Sequence, residues 1–198
     1  MRYNTVFVFL FSVVLSALNV SDEVASINEW IEEVTYMMNE HDLVTRCIDY
    51  THATIPGIGM PSNHITGYFH QSYDDEDAEP FLEEIPLLIV NEYTHAGYGA
   101  EECYYFTFDG EMVCCVSTLY GDSFNKEDFT DYFYYSGGEA IYFMDNAGEA
   151  TDVIEGETAT QAFSRIQASV TMTELFYGRN IPAPCIFWEK WGDWMITY

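Results

Sequence analysis

Two turn dipeptides inside aromatic segments constrain the fold of this chain more than any other feature. The segment "YYFTFDGEMVCC" carries Asp109-Gly110, and the segment "DYFYYSGGEAIYF" carries Gly137-Gly138. A type I′ turn needs positive φ at both central positions, so Asp-Gly or Gly-Gly between alternating strand residues is typical of a two-residue β-hairpin. The sequence therefore predicts two hairpins, one centred on each pair of turn residues.

A two-residue loop also sets the pairing of the strands on either side of it. In the first hairpin we expect Phe106 to face Val113 and Tyr105 to face Cys114. In the second we expect Tyr134 to face Ile141.

Three further segments favour strands. In "HITGYFH" the apolar residues Ile65 and Phe69 alternate with His64, Thr66, Tyr68 and His70, which predicts a strand with one buried face. The apolar run in "PLLIVNEYTH" predicts a buried strand. The C-terminal segments around Pro182 and Pro184 predict two more strands.

Two helices are predicted from apolar residues at three- and four-residue steps. One covers about residues 22–41 and has a stripe formed by Val24, Ile27, Ile31, Val34 and Met38. The other begins near Thr158, with Gln161 completing a possible capping box, and has a stripe formed by Phe163, Ile166 and Val170.

The chain length and the aromatic content favour one domain. With 198 residues, of which 48% are hydrophobic and 17% aromatic, the chain can bury one sizeable core. The sequence predicts an α+β fold, with an N-terminal helix and one internal helix packed on a twisted antiparallel β-meander of five to seven strands. This single domain is expected over residues 22–198.

The N-terminus has the features of an export signal. Arg2 precedes an apolar run from Val6 to Leu15, and the first acid is Asp22. A run of this length is short for a membrane span, and no cleavage site is clear. We expect residues 1–21 to direct the chain to a secreted, periplasmic or cell-surface location, as a cleaved signal or as an uncleaved anchor.

The charge excludes some partners and favours others. The chain has 33 Asp and Glu against 6 Lys and Arg, and its formal net charge is -27. Nucleic acids and anionic membrane surfaces carry negative charge and would be repelled by this field. Proteins bind nucleic acids through clustered Lys or Arg, which this chain lacks. A cationic protein or peptide would be attracted, and carbohydrate is a further possible partner because Trp188 and Trp194 share a face of an extended C-terminal segment.

Calcium is the one cofactor for which the sequence offers ligands. Asp145, Asn146, Glu149 and Asp152 supply clustered oxygen atoms in a turn-rich segment, although they do not fit the EF-hand pattern. A solvated turn is the alternative interpretation. His64 and His70 are no metal pair, because six strand residues separate them by roughly 20 Å.

Five cysteines occur, at positions 47, 103, 114, 115 and 185. In the predicted register Cys103 and Cys114 share a face and lie diagonally, while Cys115 points to the opposite face. A disulfide between Cys103 and Cys114 is therefore possible, and small buried thiols are the alternative.

The two hairpins carry a resemblance. The segments "EECYYFTFDGEMVCCV" and "DYFYYSGGEAIYFMD" resemble the Y-Y-F-x-[DN]-G-x-[LM] hairpins of uncharacterised exported bacterial proteins, over roughly residues 85–145. Those proteins commonly have Lys or another polar residue after the turn glycine, where this chain has Glu111 and Glu139. The resemblance implies an exported antiparallel meander and no particular activity.

No catalytic motif is evident in the sequence. It lacks G-x-S-x-G, H-E-x-x-H and a complete phosphate-binding glycine pattern. We therefore expect a non-enzymatic envelope or secreted binding domain. The alternative is a secreted hydrolase that uses carboxylates or a Cys-His pair.

Overall fold

A computed structural model describes residues 3–51, 62–72, 83–95, 98–120 and 127–177. These ranges form α1 (Tyr3–Asn39), β1 (Val44–Thr51), β2 (Ser62–Ser72), β3 (Glu83–His95), β4 (Tyr98–Phe106), β5 (Met112–Tyr120), β6 (Phe129–Ser136), β7 (Glu139–Met144), β8 (Ala150–Thr151) and α2 (Gly156–Phe176). The strands make one sheet, in which each pairs antiparallel with its neighbours in sequence. The predicted α+β fold is confirmed, with eight strands where five to seven were expected.

The first hairpin has a longer loop than predicted. Tyr105 pairs with Cys114 as expected, but Phe106 pairs with Met112 and not with Val113. The amide of Gly110 donates to the carbonyl of Thr107, and Gly110 takes a φ of 77°, whereas Asp109 keeps a negative φ. The amide of Thr107 also donates to the carbonyl of Glu111 at 2.9 Å, which leaves a three-residue loop over 108–110. Only the glycine of this loop is left-handed, so the type I′ prediction is wrong here.

The second hairpin has the predicted two-residue turn. Gly137 and Gly138 have φ values of 57° and 78°, and Ser136 pairs with Glu139. Tyr134, however, pairs with Tyr142, so the predicted pairing with Ile141 is wrong by one residue. The register shifts between Tyr134 and Tyr135, and a β-bulge of this kind leaves no mark in the alternation of the sequence.

Helix α1 packs on one face of the sheet through the predicted stripe. Ile27 contacts a cluster with Cys114 and Tyr134, and the fully buried Val34 contacts a cluster on β3. The helix begins at Tyr3, well before residue 22, because no Pro or Gly interrupts residues 3–21. In the described part of the chain, no helix combines the length and the apolar character needed to cross a membrane.

Helix α2 covers the opposite face, and of the predicted stripe only Ile166 packs on the core. Phe163 and Val170 are 57% and 53% exposed. The buried residues are mostly small: Ala162, Arg165, Ala168, Ser169 and Met172. The helix also begins at Gly156, without a side-chain cap, so the predicted start at Thr158 is two residues late. Small side chains let a helix approach a sheet closely, and Phe163 and Val170 are left outside the contact.

Candidate functional site

A row of polar side chains crosses four strands on the α1 side of the sheet. The register pairs Asp49 with His64, His64 with Glu92, and Glu92 with Glu101. Residues paired across antiparallel strands point to the same face, so all four side chains share one face. We call these four residues the acidic row. It lies on the α1 side because Cys103, two residues after Glu101, packs against the cluster around Val34.

A shallow cleft of about 460 Å³ opens beside the acidic row. Three members of the row contribute to its lining, which consists of Asp49, Ser62, Asn63, His64, Glu92, Tyr93, Thr94, Gly99 and Ala100. A methyl group on Gly99 would lie 3.2 Å from the ring of Tyr120, so a larger residue at this position would require a shift of that ring. The cleft therefore has two carboxylates, Asp49 and Glu92, in its wall.

His64 is held within the row by a short hydrogen bond. Its Nδ1 lies 2.6 Å from Oδ1 of Asp49, and both side chains are partly exposed. The hydrogen bond to Asp49 raises the pKa of His64 above its ordinary value of 6.5; desolvation opposes this rise, and the charges of Asp49 and Glu92 add to it. A protonated imidazole is therefore favoured between the two carboxylates.

The other ring nitrogen of His64 continues the chain of contacts. His64 Nε2 lies 3.1 Å from Oγ1 of Thr66, and Thr66 Oγ1 lies 3.7 Å from Sγ of Cys47. An acid that orients an imidazole, which in turn contacts a hydroxyl or thiol, is the order of groups found at nucleophilic sites. The neutral form of His64 would therefore be a base within reach of the Thr66 hydroxyl, whereas Cys47 contacts Thr66 and not the imidazole.

At the other end of the row, Glu101 accepts contacts from its neighbours. The thiol of Cys103 donates to Oε1 of Glu101 across 3.7 Å. Desolvation raises the pKa of Tyr120, and the charge of Glu101 and its hydrogen bond with the Tyr120 hydroxyl raise it further. These contacts orient the carboxylate of Glu101 within the row.

The positive charges of the described residues lie on the opposite face. Arg46 and Arg165 are the only arginines among the described residues, and the lysines of the chain lie outside the described residues. Arg46 forms a 2.6 Å ion pair with Glu84 and lies over Phe69, whose ring contacts Phe176 of α2. No described lysine or arginine therefore neutralises the acidic row.

Beneath α2 lies a second polar cluster that the sequence did not indicate. The Nη2 of Arg165 is 3.8 Å from Oε1 of Glu102 and donates to Oγ of Ser117 at 3.0 Å. Tyr104 donates its hydroxyl proton to Oε2 of Glu102 at 2.6 Å, and the guanidinium lies 4.5 Å from the ring centre of Phe133. Desolvation is the largest single influence on Arg165 and lowers its pKa, but the charge of Glu102 together with Cys115, Tyr104 and Tyr135 keeps the pKa raised.

This buried cluster has a structural explanation. Arg165 is the single charged residue among those that α2 buries, and its register with Ala162 and Ala168 is the one signal of its burial in the sequence. Oε1 of Glu102 and Nε of Arg165 lack a hydrogen-bond partner among the described residues. The cluster therefore joins α2 to β4 and β5. Its side chains are buried, so another molecule cannot contact them.

Two of the four predicted calcium ligands accept backbone hydrogen bonds, Asp145 within its own turn and Asn146 from β6. Oδ1 of Asp145 accepts from the amides of Ala147 and Glu149 at 2.9 and 2.8 Å, and Oδ1 of Asn146 accepts from the amide of Thr130 at 3.2 Å. Asp152 lies exposed beyond this turn. Within the ranges that the structure describes, no three His, Cys, Asp or Glu side chains are grouped to hold a metal ion. Calcium binding at these residues stays a prediction.

The predicted positions of the cysteines are confirmed, but the bridge stays a prediction. Cys103 pairs with Val116 and Cys114 with Tyr105, which places the two cysteines diagonally on the α1 face, while Cys115 belongs to the core beneath α2. Both Cys103 and Cys114 are free thiols. Burial raises the pKa of Cys103 to about 12, and the nearby Glu101 carboxylate contributes to this rise.

The predicted aromatic binding residues Trp188 and Trp194 lie outside the described residues. In comparisons with protein-family models, with curated proteins and with solved structures, nothing matches this chain.

Proposed function

We propose that this protein is an exported, non-enzymatic binding domain, and that it binds a cationic peptide partner on the acidic row and in the adjacent cleft. The observation that carries the proposal is the register that aligns Asp49, Glu92 and Glu101 on one face. Both described arginines lie on the opposite face of the sheet, where they pair with other carboxylates. The row is therefore a local concentration of negative charge within a chain whose net charge is already -27.

The carboxylates of the acidic row are exposed enough for a partner to reach them. Asp49 and Glu92 are exposed, and Glu101 is half-buried. Helix α1 packs elsewhere on this face, since its clusters centre on residues such as Leu87 and Cys114 toward the other end of the strands. Lysine or arginine side chains of an extended peptide would meet carboxylates at the spacing of neighbouring strands, about 4.8 Å.

Carbohydrate binding through Trp188 and Trp194 remains a separate proposal, because these residues lie outside the described ranges. A glycan would be recognised by stacking on aromatic rings and by neutral hydrogen bonds. Its affinity would depend little on salt, whereas the affinity for a cationic peptide should fall as salt rises.

The experiment that tests the proposal is a titration with a lysine-rich peptide. The Glu92→Gln/Glu101→Gln variant is compared with Glu32→Gln/Glu33→Gln, which removes the same charge from exposed positions on α1. We expect the first variant to weaken binding by roughly threefold or more and the second to change it little. Equal weakening in both variants would show a response to total charge alone and would contradict the proposal.

A secreted hydrolase is the second candidate, and one observation favours it: the contacts from Asp49 through His64 to Thr66. Against it, β2 is paired on both sides, so the strand amides around Thr66 are used in the sheet and cannot bind an oxyanion. Hydrolysis of a simple activated ester by the wild type, lost in Thr66→Val and in His64→Gln, would support the hydrolase. If the wild type hydrolyses the ester at the same rate as both variants, Thr66 is excluded as a nucleophile.

A further inference from the structure

The position of His64 suggests how the cleft responds to pH. Asp49 on β1 and Glu92 on β3 flank it directly, Thr66 contacts it from its own strand, and Glu101 follows Glu92 on β4. The titratable groups that face it from the neighbouring strands are therefore carboxylates, apart from the thiol of Cys47 beyond Thr66. No described lysine or arginine lies on this face to compete with the imidazole for these carboxylates.

We infer that protonated His64 serves as an internal cation of the acidic row, and that a cationic partner displaces this charge, so that binding releases a proton. The inference rests on the proposed function, because it assigns a regulation to the same site. When the imidazole carries a proton, it offsets one of the three carboxylates of the row. When the proton leaves, all three carboxylates are available to the partner.

Two features of the geometry support this exchange. The 2.6 Å contact with Asp49 means that the imidazole already occupies the position at which an ammonium or guanidinium group would pair with that carboxylate. The side chain of His64 also lines the cleft, so an incoming cation would lie beside it and not at a distance. Two positive charges at such a separation repel each other, and the loss of the imidazole proton removes that repulsion.

The sign of the coupling follows from these contacts. Asp49 and Glu92 raise the pKa of His64 in the free protein, and a bound cation would lower it. Affinity for the partner should therefore rise as the pH passes upward through the pKa of free His64. A bound cation that lowers this pKa by one unit corresponds to about a tenfold gain in affinity across the transition.

The test is a calorimetric titration of the full chain with hexalysine, from about pH 5.5 to about pH 8.5, where His64 titrates and ordinary carboxylates stay charged. We expect wild-type affinity to rise with pH. The enthalpy should also differ between two buffers of unlike ionisation enthalpy, as proton release requires. In His64→Gln, both the rise of affinity with pH and the dependence of the enthalpy on the buffer should disappear.

His70→Gln is the matched control. His70 lies on the same strand, with its ring 5.0 Å from that of Phe108 and away from the cleft lining, so this variant should keep the pH dependence. Circular dichroism melts verify that both variants fold.

The possible failures are distinguishable. Absence of hexalysine binding at every pH would overturn the proposed function together with this inference. Binding with an affinity that does not change with pH, or with the same pH dependence in His64→Gln, would overturn this inference alone.

Discussion

The guanidinium of Arg165 lies 3.8 Å from the carboxylate of Glu102, and both side chains are buried between α2 and the sheet. This pair joins two elements that are distant in sequence. Tyr104 and Ser117 supply hydrogen bonds that a buried ion pair needs if it is to offset the loss of hydration.

Removal of one partner of this pair should be costly. We expect Arg165→Met to lower the free energy of unfolding by about 3–5 kcal/mol, because Glu102 would remain as an uncompensated buried charge. Urea denaturation followed by circular dichroism measures the change. In the double variant Arg165→Met/Glu102→Gln, much of the loss should be recovered, whereas strictly additive effects would show that the two side chains are not coupled.

Trp30 should anchor α1 to the first hairpin. Its Nε1 donates to the carbonyl of Phe106 at 3.0 Å, and its ring packs edge-on against Phe108 at 5.1 Å. We expect Trp30→Phe to lower the free energy of unfolding by about 1–2 kcal/mol, since a part-buried acceptor loses its donor. Tyr36→Phe, at an exposed position of the same helix, is the control and should change stability by less than about 0.5 kcal/mol. Equal effects of the two changes would mean that the indole contact contributes nothing.

The stability of the protein should depend on which residue replaces Gly110 in the first turn. Its φ of 77° is unfavourable for residues with a Cβ, and a methyl group at this position would have no atom within 4 Å, so only the backbone conformation matters. Gly110→Ala should cost about 1 kcal/mol, and Gly110→Asn should cost less, because asparagine tolerates this conformation better. Thermal melts of both variants give the comparison, and an alanine variant as stable as the asparagine variant would argue against a left-handed residue here.

Stability should depend on pH through His64. Its pKa is raised in the folded protein, so the stabilisation is fully present below the unfolded value of 6.5 and disappears as the pH rises through the folded value. We therefore expect the melting temperature of wild type relative to Asp49→Asn to be higher at mildly acidic pH than at mildly alkaline pH. The difference should be small, because both side chains are partly exposed. A difference that grows with pH would have the wrong sign for this ion pair.

The described cysteines should react with a thiol reagent in a definite order. Cys47 is exposed, whereas burial raises the pKa of Cys103 to about 12 and also raises the pKa values of Cys114 and Cys115. In a Cys185→Ser background, iodoacetamide should modify Cys47 first, as mass spectrometry of digested protein would show. Modification of Cys114 or Cys115 in the native protein at a similar rate would contradict their burial.

The hairpins illustrate how far local sequence reaches and where it stops. Turn residues at Gly137 and Gly138 predict their loop correctly, since positive φ is a local requirement. The register shift at Tyr134 and the longer loop at Asp109 could not be predicted in this way. Bulges depend on packing against α1 and on the twist of the sheet, which are not local properties of the sequence. Composition and spacing point to the calcium residues and the tryptophans, and neither signal indicates the acidic row.

The sequence by itself determined the α+β class, the antiparallel meander and the buried stripe of α1, because these depend on periodicity and on turn chemistry between near neighbours. Only the tertiary structure decided which face α2 buries, since close approach to the sheet favours Ala162 and Ala168 over Phe163. It also decided that Asp49 meets His64 and that His64 lies beside Glu92, through strand pairing between residues far apart in the chain. Such pairings depend on the register of whole strands, and no short segment of the sequence specifies that register.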